Sequence, residues 1–133
     1  MILIGCNTQK KVFYNPNVSC ELKTPDGKLV LKSQVKFSSD KKSEKNNVVN
    51  KMYDKILFNG IRQNQCVLNR LVNDPNPKTN FEDFFISFWE DESREDQFHK
   101  IISRKKNNTE TSTYIVEFNI NKLKKHLNEN NIK

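Results

Sequence analysis

The sequence predicts a single α+β domain, an antiparallel or mixed β-sheet with an N-terminal β-hairpin and three to four helices packed on it, and three observations carry that expectation. Cys20 and Leu22 alternate with Glu21 and Lys23, Thr24-Pro25-Asp26-Gly27 supplies a turn, and beyond it Leu29, Leu31, Val35 and Phe37 alternate with Lys28, Val30, Lys32, Gln34 and Lys36. Apolar residues then recur at helical spacing at Val49, Met52, Tyr53, Ile56 and Leu57. Finally, the stretch 81–89, Phe-Glu-Asp-Phe-Phe-Ile-Ser-Phe-Trp, is apolar on both sides when read with period two, as a central strand covered above and below would be.

Size and composition bound the rest. The 133 residues make one domain, 1–133, and a chain of this length buries roughly two thirds of its unfolded surface. Lys plus Arg outnumber Asp plus Glu by 23 to 16, a net charge of +7, so polyanions are the default partners to consider. No apolar run approaches the roughly twenty residues of a membrane span, and the N-terminus lacks the apolar core of a signal peptide. Cys6, Cys20 and Cys66 are odd in number with no C-x-x-C pair, which predicts reduced thiols in a cytoplasmic protein.

In chain order, residues 2–4 and 12–14 are expected as short strands with a turn at 15–17, followed by the hairpin. Residues 38–47, with Lys41, Lys42 and Lys45, read as a charged, mobile connector, and a helix follows. Asn59-Gly60 is ambiguous between a helix end with Gly60 at C′ and a hairpin turn. Because the stripe resumes at Ile61, Cys66 or Val67, Leu68 and Leu71, two helices or one broken helix are favoured until 73–77, Asn-Asp-Pro-Asn-Pro, ends the region. After the aromatic stretch, residues 90–96 hold five acids in seven positions, and Ser93 with Asp96 resembles a capping box opening a helix that buries Phe98, Ile101 and Ile102. Tyr114, Val116, Phe118 and Ile120 form one face of a last strand. Asn119 or Asn121 caps a final helix with apolar contacts at Leu123 and Leu127, and 129–133 should fray.

Candidate sites follow from charge. Lys28, Lys32 and Lys36 share a strand face at ~13 Å intervals, since a strand rises about 3.3 Å per residue. With Arg104, Lys105, Lys106, Lys122, Lys124 and Lys125 they form a candidate nucleic-acid or anion-binding surface, competing with a purely solubilising role for lysines on an edge. Trp89, Glu90, Asp91 and Glu92 are the candidate partner-binding residues, the acids acting as a phosphate mimic. Asp26 and Asp40-Lys41-Lys42 superficially match the P-D…(D/E)-x-K nuclease pattern, but turn and connector are the wrong context for two metal-holding acids. His99, His126 and the cysteines lack ligand spacing, so no metal and no cofactor are expected. His99 is read as a partly exposed helix residue, and Cys20 and Cys66 as small buried hydrophobes.

Ser87-Phe88, Phe98 and Tyr114-Ile115-Val116-Glu117-Phe118-Asn119 resemble the C-terminal half of an uncharacterised bacterial and phage family related to ADP-ribosyltransferases. That resemblance covers about a quarter of the chain. It implies NAD use with Glu117 orienting the nicotinamide ribose, while the family's N-terminal strand and Arg have no counterpart in residues 1–60. With no catalytic constellation and an Asn/Lys-rich composition of the mobile-element type, the favoured function is a small non-enzymatic binding protein, of phage or mobile-element character. It would bind nucleic acid or inhibit a nucleic-acid-handling or defence protein. A small nucleotide held between sheet and helices is a further candidate ligand.

Overall fold

The computed structural model describes residues 17–63 and 66–133. The strands expected at 2–4 and 12–14, the start of the turn at 15–17, and Cys6 lie outside the described residues. At Thr24-Pro25-Asp26-Gly27 the chain turns as its residues dictate. Gly27 takes φ +94°, its N–H reaches the Thr24 carbonyl at 3.2 Å, and the turn joins β1 (Ser19–Lys23) to β2 (Lys28–Lys36). A side chain there would strike the Asn121 amide, 2.6 Å from where a Cβ would stand, because the turn is pinned under the start of the last helix.

The main sheet has strand order β1-β2-β6-β5 and is antiparallel throughout, with β5 spanning His99–Lys106 and β6 Thr111–Asn119. On one side Leu29, Leu31, Val35, Tyr114, Val116 and Phe118 are buried, and the helices pack there. Asp40 caps α1 (Lys41–Asp54) by accepting from the N–H groups of Lys42 and Ser43, so the segment expected as a mobile connector is largely helical. The helix continues through a π turn, Lys55–Asn59, and stops at Gly60, φ +79°. Gly60 is therefore a helix end. The second helix expected beyond it is instead a two-stranded hairpin, β3 (Ile61–Gln63) and β4 (Cys66–Leu68).

The aromatic stretch overturns its expected role. After a turn of helix, α2 (Pro77–Asn80), it forms α3 (Glu82–Glu90), not a central strand. Phe85 and Phe88 are buried, Phe81, Phe84 and Trp89 are half-buried, and Ile86 and Ser87 face outward. Positions 81, 84, 85, 88 and 89 are a helical stripe, so one apolar face and not two is what the sequence encodes. Its rings pack edge-on against Tyr53 and Phe58, with Tyr53–Phe88 centroids 5.1 Å apart.

The helix expected after Ser93 shrinks to one irregular turn, α4 (Arg94–Gln97), in which Glu95 is extended and Asp96 takes φ +77°. The chain then enters β5, so Ile101 and Ile102 are strand residues and His99 is buried, not helical and exposed. Pairing along the whole of β6 outweighs a cap signal worth about 1 kcal/mol. Asn119 caps α5 (Ile120–Glu129) by accepting from the Lys122 N–H, and Leu123 and Leu127 are buried as expected. The tail is docked, not frayed: Ile132 is 2% exposed and the Lys133 carbonyl accepts from the Asn73 N–H at 2.9 Å.

Two thiols predicted to be reduced are joined. A Cys20–Cys66 disulfide ties β1 to the β3–β4 hairpin, with Cα atoms 6.2 Å apart. Gln63 reinforces it, accepting from the Cys20 N–H at 2.8 Å and donating to the Val18 carbonyl at 3.1 Å.

Candidate anion-binding face

The alternation that buries one side of β2 and β6 turns Lys28, Val30, Lys32, Gln34 and Lys36 to the other, beside Thr113, Ile115, Glu117 and Asn119. No described helix packs on that side. On β5 a bulge between Ile101 and Ser103 shifts the register, so that Lys100 lies opposite Glu117 and Lys105 opposite Thr113. This face, on which no described helix packs, therefore carries two rows of cations, Lys28, Lys32 and Lys36 on β2 and Lys100 and Lys105 on β5. With β6 between them, the rows stand about 10 Å apart.

Glu117 is the one acid among these outward strand positions of β2, β5 and β6, and it pairs with Lys28 at 3.7 Å. Lys32, Lys36, Lys100 and Lys105 make no side-chain ion pair or hydrogen bond among the described residues. Half-buried Val30 and Ile115 lie between them, and exposed Leu22 pairs across from Val30. At one end the face runs into a recess of about 220 Å³, where Lys122 at the start of α5 joins Lys28, Lys100 and Glu117.

The bulge also removes two predicted members. Arg104 lands opposite Tyr114 on the helix side, where its Nε donates to buried Glu44 at 2.7 Å, and the Lys106 ammonium lies 4.3 Å from the centroid of the Phe37 ring. Lys124 and Lys125 are exposed on α5, and Lys124 borders a different recess, below. Lys100 was missed because its segment looked helical; the recurrence of Lys at 100 and 105 around a bulge is not an alternation that single-sequence patterning detects.

Of the acidic candidates, Asp91 and Glu92 already have partners within the chain. Glu92 pairs with Lys42, Glu95 with Lys45 at 2.9 Å, and Asp91 accepts from both the N–H and the hydroxyl of Ser93. Glu90 is exposed, and Trp89 is half-buried against Phe85 and Phe88 while its carbonyl accepts from Asn50. Asp26 and Asp40 sit at opposite ends of β2, about 30 Å apart by strand rise, so the structure does not bring the nuclease-like acids together.

Sequence reasoning also missed a buried polar cluster beneath α3. The Tyr53 hydroxyl and His99 Nδ1 are 2.6 Å apart, and the Arg94 guanidinium lies over the Tyr53 and Phe88 rings while donating to Asn50 Oδ1 at 2.6 Å. Burial drives the His99 pKa down to about 4, and the nearby Arg94 charge adds to the shift. Burial likewise raises the Tyr53 pKa, keeping its hydroxyl protonated as the donor to a neutral imidazole.

An unfolded histidine at about 6.5 takes up its proton before the folded one does, so stability is expected to fall as pH drops from about 6.5 to 4, by about 3 kcal/mol in all. Urea midpoints measured across that window should show the loss, and His99→Gln should flatten it.

Among the described residues no three His, Cys, Asp or Glu side chains gather closely enough to hold a metal ion, and no helix is long and apolar enough to cross a membrane. Comparison with protein-family models, curated proteins and solved structures finds no match to the chain.

Proposed function

We propose that the chain is a non-catalytic binding protein whose lysine-bearing sheet face takes the phosphate backbone of a nucleic acid. The observation that carries this reading is a segregation of charge: two parallel rows of lysines on a face where no described helix packs, with Glu117 the one acid between them among the described residues. Two rows about 10 Å apart can neutralise a phosphate chain from both sides. Ammonium groups hold phosphates as point charges and carry little sequence information, so binding should be general. No described aromatic residue stands among the outward positions of β2, β5 and β6 to offer a base a stacking platform, so the contacts of these strands would run along the backbone.

The test is salt dependence. If Lys32, Lys36, Lys100 and Lys105 each neutralise one phosphate, log affinity against log salt should have a slope of about −3 to −4. Lys32→Gln and Lys105→Gln should each weaken binding to any sequence and reduce the slope by about one. Binding that ignores salt, or survives both substitutions unchanged, would discard the proposal. Glu117→Gln separates this reading from the transferase one: it should tighten polyanion binding here, whereas an NAD-consuming enzyme would lose turnover.

A further inference from the structure

On the helix side of the sheet, the loop 68–73 forms one wall of a recess of about 490 Å³ between the β3–β4 hairpin, the end of β1 and the C-terminal part of α5. Its cations are Lys23, Arg70, Lys124 and Lys133, and no Asp or Glu side chain lines it. Its remaining surface is mixed, with exposed Val67 and half-buried Leu71 over the buried Leu68, Leu127 and Ile132 as the apolar part and Asn69, Asn73 and Asn128 as amides. The ammonium groups of Lys23 and Lys124 and the Arg70 guanidinium make no hydrogen bond or ion pair among the described residues. An unpaired guanidinium is a planar five-donor fork suited to phosphate oxygens.

The walls are built and held. The Leu71 and Val72 N–H groups donate to the Ile56 and Leu57 carbonyls, which fixes the loop from inside. From the other side the Asn73 N–H reaches the Lys133 carbonyl, and the Ile132 N–H reaches that of Leu127 at 2.9 Å. Gly60 lets the backbone close against β4: a Cβ there would lie 2.8 Å from the Leu68 carbonyl oxygen and 3.0 Å from the Arg70 nitrogen. Arg70 thus projects from a loop braced on two sides, and it also borders a second recess of about 510 Å³ shared with Arg62 and Phe58.

We infer that this recess is a site for a nucleoside phosphate, with Arg70, Lys23 and Lys124 on the phosphates and Val67, Leu68 and Leu71 against the apolar part of the nucleoside. Volume favours this over a segment of polymer, because an open concavity of this size matches one small ligand. The combination of apolar lining with cations and no Asp or Glu side chain favours it over a bare anion, which has no use for the apolar residues. None of the five lysines of the sheet face lines it, so the inference stands apart from the proposed nucleic-acid contact.

The experiment is calorimetric titration of the full chain with each of the four ribonucleoside diphosphates, with adenosine and with pyrophosphate. At least one diphosphate should bind at least tenfold more tightly than adenosine or pyrophosphate. Arg70→Gln and Lys124→Gln should each weaken that binding about tenfold at unchanged melting temperature, whereas Lys32→Gln with Lys105→Gln should leave it intact. The inference is overturned if no diphosphate binds at millimolar concentration. It is equally overturned if pyrophosphate binds as tightly as every diphosphate, or if only the sheet-face substitutions matter, which would place the anion on the lysine rows.

Discussion

Replacing Glu44 with alanine is expected to destabilise the fold by about 3 kcal/mol, the lower end of the range for breaking a buried ion pair by removing one partner. Glu44 is 0% exposed on the first turns of α1, beneath the sheet. Its carboxylate accepts from Arg104 Nε and the Tyr114 hydroxyl, both at 2.7 Å, from the Ser38 N–H at 3.0 Å and from the Ser112 hydroxyl at 3.2 Å. Alanine would strand these donors together. The cost stays at the lower end because the Arg104 side chain keeps a quarter of its exposure and can rehydrate. Glu44→Gln, which retains an oxygen for the hydroxyls, should cost less, and urea denaturation of the two variants measures the difference.

The same site sets an acid limit. Burial alone would raise the Glu44 pKa, but the donors led by Arg104, with the Ser38 N–H and Tyr114 behind it, outweigh burial and hold it at about 2. Since the folded value lies below the ordinary 4.5, the contribution is complete above about pH 4.5 and is lost as pH falls towards 2. The stability gap between the natural protein and Glu44→Gln should therefore narrow between pH 4.5 and 2. This window lies below most of the His99 one, so acid unfolding should steepen in two successive ranges.

Removing the Cys20–Cys66 bridge is expected to cost about 4 kcal/mol, the chain-entropy value for a closed loop of this length. The bridge spans a sequence separation of 46 and holds the hairpin that walls the Arg70 recess. Cys20→Ala with Cys66→Ala, compared with the natural protein with and without reductant, should show equal losses in urea. The Gln63 contacts remain in both, so the hairpin should still dock once folded. A loss under 1 kcal/mol would mean that the hairpin already stays near β1 in the unfolded chain.

Legibility tracked how local each signal was. The β1–β2 turn, the alternation of β2 and β6 and the Asn119 cap were all readable, because each is written within a few neighbouring residues. The shared face of Lys28, Lys32 and Lys36 on β2 was readable for the same reason, whereas Lys105, expected at a helix end, reaches that face only through β5. The aromatic stretch was misassigned although its 81, 84, 85, 88, 89 spacing is helical, because Phe and Trp also favour strands and the period-two reading tolerates apolar residues on both sides. Arg104 and Lys106 could not be separated from Lys105 without the bulge at Ile101/Ser103, which inverts the faces beyond it.

By itself the sequence determined the α+β class, the hairpin, the last strand and helix, and a cationic outer face, since propensity, period and turn chemistry act over a few residues. Only tertiary structure decided that β5 is a strand, that Ile61–Gln63 and Cys66–Leu68 pair as strands and not as a helix, and that Cys20 meets Cys66. It also decided where Glu44 and Arg70 stand. Each of these depends on partners tens of residues away, whose pairing supplies more free energy than the local preference it overrides.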